Sequence, residues 1–501
     1  MLSPGEDSFS GLAYNSRAVE KGDIFFCVKG EKFDANRFIP DALAQGAAYI
    51  VSESPRPDDF PAQGAGYVQV DDIRQAMADA ADYFYERPST RLRILGVTGT
   101  NGKTSTTHII EHILTAAGER AGVVGTMGAR WPKERAQSSY TDVHHTTPQS
   151  LDLHRVLKEM ADERVSHVAM EISSHALALK RVAGCQFAAA CLTNITQDHL
   201  DFHKTMENYW KAKRILFEML SNSEMADRHA IVNIDEELAP RFLEASAGGV
   251  TRLTYGFSPR ADYRVLGCTS SDRGTFLTVK TPSGSVELEL KLLGAFNIYN
   301  ALAALTVCHA EGVSLENCRK ALSTFTGVSG RFEVVGAGES NPDEKPVHPL
   351  CIVDYAHSPD GLENVLKTAR ELVEGSGKLV VVFGCGGDRD TSKRPQMGEI
   401  AERLGDRVVV TSDNPRSEDP QQIIADILAG IKRIQGVTVE PDRATAINMA
   451  IREAAAEDVV VVAGKGHETY QILADRTLDF DDRIEVRKAL AERLGLDSVK
   501  A

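Results

Sequence analysis

Short, nearly unbroken apolar runs recur along the chain and alternate with longer stretches whose apolar residues keep helical spacing. In the middle of the chain the runs fall at 92–97, 167–172, 191–194 and 230–234; further on they fall at 351–354, 378–383, 407–411 and 458–463. Runs that are apolar at every position suit strands buried on both faces, and such strands separated by helices make a parallel sheet. The stretch after Lys103 shows the other rhythm. There Ile109, Ile110, Ile113 and Leu114 share one helical face, and Gly118 stops the helix. Near the start, Gly22-Asp23 reads as a turn feeding a buried strand over 24–28. Alternating pieces at 262–292 predict hairpins added to the central sheet, with a helix from about Asn297. The pattern predicts an α/β chain of three domains, 1–88, 89–329 and 330–501. A stretch at 336–349, rich in Gly, Pro and charge, predicts a surface loop just inside the last of them.

Composition narrows the class. A chain of 501 residues is too long for one hydrophobic core. A net charge of −15 argues against a general nucleic-acid binder, although local anion sites remain open. The first residues carry neither a basic region nor an apolar run, so no signal peptide is expected, and the longest apolar runs are too short to span a bilayer. Eight scattered cysteines without a Cys-x2-Cys pair fit reduced thiols in a cytoplasm better than disulfides or a zinc site.

The chemistry begins at residues 96–104, Gly-Val-Thr-Gly-Thr-Asn-Gly-Lys-Thr, directly after the run at 92–97. Gly99 and Gly102 let backbone N–H groups approach phosphates, and a helix opening at Lys103 adds partial positive charge. Lys103 can reach the β- and γ-phosphates and the Thr104 hydroxyl can ligate Mg2+. The glycine spacing is shorter than the common phosphate loop, but the strand-before, helix-after context is right. The central sheet is therefore expected to be P-loop ATPase-like, and the C-terminal doubly wound sheet Rossmann-like, beside a small N-terminal α/β domain.

Further candidates follow later strands. Glu171 ends one in Ala-Met-Glu-Ile-Ser-Ser-His, where a carboxylate beside a phosphate loop suits a cation. His199 follows the next strand, which gives a metal-ligand role weight over a merely solvated histidine. Lys213, among Lys211 and Arg214 on a predicted helix, reads on its own as part of a solvated basic face. In the last domain, the segments at 354–359, 384–389, 413–416 and 464–468 all follow strands. They should gather at one sheet edge, where Gly-rich turns with Arg and Lys suit an anionic ligand.

Over nearly its whole length the sequence resembles the Mur ligases, ATP-dependent amide-forming enzymes that build the peptide of the bacterial cell-wall precursor. The resemblance rests on the loop at 98–104, Glu171, His199, Asn297 and Asn300 in Phe-Asn-Ile-Tyr-Asn-Ala, Gly330-Arg331, and Asp354-Tyr-Ala-His357. Within the family it is similar to the branch that adds the third residue, a diamino acid, to UDP-N-acetylmuramoyl-L-alanyl-D-glutamate. Asp413-Asn414-Pro415-Arg416 matches the signature of meso-diaminopimelate users rather than L-lysine users. A guanidinium can grip the far carboxylate of diaminopimelate, which L-lysine lacks. An L-lysine-adding homologue and a folylpolyglutamate synthase-like ligase are the alternative enzymes. The latter normally lacks a leading domain of this kind and the Asp-Asn-Pro-Arg stretch. A nucleotide-dependent sensor of the cell-wall peptide is the non-enzyme alternative, disfavoured by the intact Lys103, Glu171, His199 and Lys213.

The resemblance implies a site for each substrate. For ATP it implies Thr98, Gly99, Thr100, Asn101, Gly102, Lys103 and Thr104, with Asn297, Asn300, Arg331, Asp354 and His357 bounding the rest of the nucleotide. Thr104 and Glu171 would hold one Mg2+; Glu171, His199 and Lys213, as a carbamate, would hold a second. For the UDP-sugar peptide it implies Tyr14, Ser16, Glu31, Lys32, Phe33 and Asp34, then His145, Thr146, Thr147, Ser173, Leu179 and Arg181. For diaminopimelate it implies Arg389, Asp413, Asn414, Pro415, Arg416, Gly464 and Glu468. His145, Leu179 and the pair Asn36-Arg37 depart from the family's usual residues. A monomer without nucleic-acid partners or membrane insertion is expected, closing its third domain over the central one to shield an intermediate from water.

Overall fold

The computed structural model describes residues 9–30, 34–61, 64–133, 145–271, 274–336, 348–433 and 435–495. Among these are three main sheets, each with its own core. The first has four parallel strands in the order Leu12–Ala13, Ile24–Phe26, Tyr49–Ser52, Gly66–Gln69. It packs on the helix Ile73–Phe84, started by Asp72, whose carboxylate accepts from the N–H groups of Arg74 and Gln75.

The central sheet has ten strands. Six parallel ones run Thr251–Gly256, His229–Asn233, Ala189–Leu192, Arg93–Thr98, His167–Glu171, Ala121–Gly125 across its middle. The meander Tyr263–Ser271, Gly274–Thr281, Gly284–Leu290 extends one edge as the alternating pattern at 262–292 predicts. The strand Arg93–Thr98 is buried from Ile94 onward and lies between His167–Glu171 and Ala189–Leu192, with Val97 opposite Glu171 and Thr98 opposite Leu192. The loop at its end is therefore flanked by Glu171 on one side and the 193–199 loop on the other. The helix Lys103–Ala116 buries Ile109, Ile110, Ile113 and Leu114 in a core shared with the helix Ala295–Ala310. Each such side chain contributes roughly 1.5–3 kcal/mol, so the phosphate loop is anchored by its own helix.

The third sheet runs Glu333–Val335, Leu350–Asp354, Val459–Ala463, Leu379–Phe383, Arg407–Val410, Val437–Val439, parallel except for its first pair. Ala463 faces Asp354 on one side and Phe383 on the other, and Phe383 faces Val410. The segments after Asp354, Phe383, Val410 and Ala463 consequently emerge side by side. Predicted strands agree to within one or two residues. Ala121–Gly125 is not legible as a strand because Ala-Gly-Val-Val-Gly offers too little bulk. Its Gly125 is needed small, since a Cβ there would lie 2.1 Å from Glu171 Oε1. Most of the 336–349 stretch lies outside the described residues. No helix among the described residues is long and apolar enough to cross a membrane.

Candidate active site

The phosphate loop is built by its neighbours. Thr98 Oγ1 donates to the Ile172 carbonyl at 2.8 Å, and the N–H groups of Thr100 and Asn101 donate to the Asn194 carbonyl and Oδ1, both at 2.9 Å. Gly99 has φ +151, and a Cβ on it would lie 1.9 Å from Thr193 Oγ1. Gly102 has φ +83 and its Cβ would meet Asn300 Oδ1 at 2.3 Å. Both glycines are thus required by approach as well as by conformation. The helix beginning at Lys103 carries no side-chain cap. Lys103 Nζ donates to the carbonyls of Gly99 and Thr100 at 2.9 and 2.8 Å, and burial lowers its pKa against the opposing pull of Glu171 and Asp198.

Thr104 Oγ1 donates to Glu171 Oε2 at 3.0 Å and accepts from Arg331 at 3.3 Å. Glu171 is fully buried and also accepts from Thr126, through its N–H at 2.9 Å and its hydroxyl at 3.1 Å. The structure thus joins the two residues expected at one Mg2+. His199 has left-handed backbone with φ 54, its Nε2 3.3 Å from Asp198 and its ring edge-on to His175. Lys103 and Lys213 are among the charges that bear on His199, and among the described residues no three His, Cys, Asp or Glu side chains converge as metal ligands.

The solvated reading of Lys213 is overturned. Lys211 and Arg214 are surface residues paired with Glu207 and Glu218, but Lys213 is 1% exposed, and its Nζ donates to the Gly99 carbonyl at 2.7 Å. Burial, then the nearby Lys103, holds its ammonium well below the ordinary lysine value. Helical phase explains the difference: position 213 shares the inward face with Tyr209, Leu216 and Phe217.

Asn300 Nδ2 donates to Asn297 Oδ1 at 3.1 Å, and Asn297 Nδ2 to the Leu293 carbonyl at 2.9 Å, so both asparagines are buried and internally engaged under the loop. Arg331 stacks on Tyr355 with its Cζ 4.5 Å from the ring centre. Asp354 is buried, accepts from the Phe332 N–H at 2.6 Å, and has its pKa pushed up to about 6 by desolvation. His357 lies beside Tyr355, its Nδ1 2.8 Å from that residue's carbonyl.

The residues expected at the UDP-sugar peptide divide. Thr147 Oγ1 donates to the Glu171 carbonyl at 2.8 Å and accepts from the Ser173 N–H at 3.0 Å, while Arg181 donates to the Thr147 carbonyl at 3.0 Å. Thr146 accepts from Thr126 at 3.2 Å. These join Glu171 in one cluster, with Leu179 half-buried at the end of the helix Ser174–Ala178 and His145 exposed. Tyr14 reaches the central domain, donating to Asp152 at 2.6 Å, and Ser16 is buried nearby in sequence. Asp34 caps a short helical turn through the Asn36 N–H at 3.0 Å. Asn36 departs from the family pattern but has a structural job, because it also donates to Asp34 and accepts from Ser52 at 2.6 Å. Glu31, Lys32 and Phe33 lie outside the described residues.

The residues expected at diaminopimelate gather. Asn414 Nδ2 donates to Glu468 Oε2 at 2.8 Å, and Arg416 donates to the Gly387 carbonyl at 2.7 Å. Asp413 packs on Gly464, where a Cβ would lie 2.5 Å from the Asp413 Oδ2, and Pro415 is buried. Arg389 is exposed at the rim, its Cγ near Gly386. Burial raises the Glu468 pKa, partly offset by Lys465.

Several residues were missed. Lys465, wholly buried, donates to Asn414 Oδ1 at 3.1 Å and pairs with Glu468 at 3.2 Å. It sits inside the 464–468 segment, so its motif was visible although its role was not. Arg394, 1% exposed, pairs with Glu418 and Asp426 beneath the 386–389 turn. Arg443 and Asp482 form a fully buried pair at 2.7 Å, and Arg443 also donates to the carbonyls of Ser412 and Ala463 at 3.3 and 3.0 Å. It therefore ties the starts of the 413–416 and 464–468 segments together, and no sequence signal distinguishes it from a surface arginine. Replacing Arg443 with Met leaves Asp482 buried and unpaired. The third domain should lose about 3–5 kcal/mol, read as an earlier urea transition; an unchanged midpoint would contradict the assignment.

Three family descriptions match the sequence: "Mur ligase family, catalytic domain" at 8–85, "Mur ligase middle domain" at 97–308 and "Mur ligase, glutamate ligase domain" at 330–466. The chain belongs to the Mur ligase family. Among curated Mur ligases, it is 46% identical to the UDP-N-acetylmuramoyl-L-alanyl-D-glutamate–2,6-diaminopimelate ligase of Geobacillus kaustophilus, covering 98% of this chain and 96% of the relative. The ligase of the same name from Thermosynechococcus vestitus is 45% identical, over 96% and 93%. A solved structure of a ligase so named superposes with a TM-score of 0.66 at 34% identity, covering 97% of this chain and 95% of its own. Mycobacterium tuberculosis folylpolyglutamate synthase shares the fold with a TM-score of 0.59 at 17% identity, covering 78% of this chain and 92% of its own.

Proposed function

We propose that this chain joins an amine of meso-diaminopimelate to the D-glutamate γ-carboxylate of UDP-N-acetylmuramoyl-L-alanyl-D-glutamate, using ATP and forming ADP and phosphate. One observation carries the reading. An unbroken line of contacts runs from the phosphate loop through Thr104, Arg331 and Tyr355 to His467, whose ring lies 5.0 Å from that of Tyr355, and so to the Glu468–Asn414 cluster. That linkage supports placing a triphosphate and a carboxylate-bearing amine close to one another. The names of the relatives support the diaminopimelate-adding branch. ATP as substrate and eight free thiols favour a cytoplasmic location.

In this reading a γ-carboxylate oxygen attacks the γ-phosphorus in line, and the bond to ADP breaks to leave an acyl phosphate. Lys103 and Arg331 hold the phosphates and offset their charge, while Thr147, Ser173 and Arg181 hold the acceptor beside Glu171. Arg416, Asn414 and Glu468 hold diaminopimelate. Its deprotonated amine attacks the acyl carbon, the tetrahedral adduct expels phosphate, and the amine's proton leaves to solvent. Thr104 and Glu171 are hard oxygen donors in contact, which fits Mg2+. Bound there, the ion would neutralise developing phosphate charge. Lys213, with its ammonium disfavoured, suits carbamate formation by a neutral amine, and as a carbamate it would add another oxygen donor at a second Mg2+ that Glu171 and His199 would also hold.

Phosphate release with UDP-N-acetylmuramoyl-L-alanyl-D-glutamate should require an added amine donor, and meso-diaminopimelate should far exceed L-lysine and glutamate. Preference for L-lysine or for glutamate would move the chain to one of the alternative branches.

A further inference from the structure

Asp360 is the second residue of the helix Pro359–Glu371 in the third domain, a helix started by Ser358, whose Oγ accepts from the Gly361 N–H at 3.2 Å. Its carboxylate crosses to the central domain. There Oδ2 accepts from Asn101 Nδ2 at 2.5 Å and from Thr196 Oγ1 at 2.9 Å. Asn101 and Thr196 lie on separate loops after adjacent strands, and those loops are laced together. The Thr196 N–H donates to Thr100 Oγ1 at 2.9 Å, and the Asn101 N–H donates to Asn194 Oδ1 at the same distance. One carboxylate oxygen therefore binds both halves of the phosphate cradle at once. It takes a side-chain amide and a hydroxyl, and leaves Lys103 and the N-terminus of its helix for phosphates.

We propose that Asp360 is the positioning residue that sets the register of the third domain on the phosphate loop, and so aims the amino donor at the acyl phosphate; this rests on the function proposed above. The helix that carries it, capped by Ser358, follows Asp354-Tyr355-Ala356-His357 directly. Asp354 is paired with Ala463, one residue before the Gly464–Glu468 segment. A displacement at Asp360 is thus passed through packed sheet and ring contacts to the diaminopimelate residues. Charge-assisted bonds of this kind are stronger and more directional than neutral ones. A small loss of alignment is enough to cost rate when two reactants must meet. If the amine is misaimed, water attacks the acyl carbon instead, which regenerates the carboxylate, releases phosphate and spends ATP without making an amide.

The test measures ADP and amide formed in the same reaction. Asp360→Ala should slow amide formation about ten-fold and raise ADP per amide several-fold, with the ATP KM within about two-fold of wild type. Asp360→Asn, which keeps an acceptor oxygen, should restore most of the coupling. Thr196→Val should shift the ratio in the same direction, and adding it to Asp360→Ala should change little, because Asp360→Ala already removes the contact that Thr196→Val removes. A ratio unchanged in Asp360→Ala, or effects of the two substitutions that multiply independently, overturns the proposal. If Asp360→Ala does not fold, an unchanged ratio in Thr196→Val overturns it alone. Wild-type enzyme that makes no diaminopimelate amide would instead reject the proposed function.

Discussion

Lys103→Ala is expected to lower kcat by about 10²–10³-fold, the usual cost of removing one preorganised group that stabilises transition-state charge. The reason lies in where its ammonium sits. Burial lowers the pKa of Lys103 and of Lys213, Arg331 adds to the shift of Lys103 and Lys103 to that of Lys213, and Glu171 and Asp198 oppose the shift of Lys103. Such desolvated like charges are tolerable where an anion completes them. Two loop carbonyls, those of Gly99 and Thr100, hold the ammonium within reach of the cradle. In-line transfer spreads charge over the oxygens of the moving phosphoryl group, and a cation fixed there stabilises that charge more than it stabilises bound ATP. The main loss should therefore appear in kcat. The loop itself should survive, because Thr98, Thr100 and Asn101 are held by Ile172 and Asn194 without help from Lys103. Circular dichroism and a thermal melt near wild type, together with the kcat loss, would be the expected pair of results. Turnover close to wild type would remove Lys103 from the chemistry.

The fold was legible where burial is two-sided. Runs such as 458–463 and 378–383 can be little other than interior parallel strands, and the helix after Lys103 advertises its apolar face. Short or glycine-rich strands such as Ala121–Gly125 and Val437–Val439 carry too few apolar positions to register. The site was legible to the extent that its residues sit in segments directly after strands, since those positions are fixed by topology. Thr104 and Glu171 meet because Val97 and Glu171 are in register. What stayed hidden depends on the third dimension. Lys213 is separated from a solvated basic residue only by its helical phase. Arg443, Arg394 and Asp360 act on segments distant in sequence, and nothing local marks them. Asn36 shows the converse: a departure from the family's residues that belongs to a local turn.

Arg416→Ala is expected to lower kcat/KM for meso-diaminopimelate by about 1–3 kcal/mol, roughly 5- to 150-fold, while leaving the low L-lysine activity unchanged or higher. Arg416 is presented by unusual backbone, with φ 54, behind the buried Pro415, and its N–H donates to the Ile472 carbonyl at 3.1 Å. One guanidinium nitrogen is committed to the Gly387 carbonyl, which fixes the plane of the fork. The remaining donors can pair with a planar carboxylate, and diaminopimelate carries one at its far end. L-Lysine has none, so it would leave a guanidinium desolvated without a partner, the stronger source of rejection. Removing the guanidinium abolishes both the attraction and the penalty, so the ratio of the two donors should fall more than either rate alone. Arg416→Lys separates geometry from charge. An ammonium keeps the sign but cannot form the planar two-point grip, so it should recover only part of the diaminopimelate preference. Equal losses with both donors would mean that the substitution merely disorders the 413–416 turn, and Arg416 would then not be the residue that reads the amino acid.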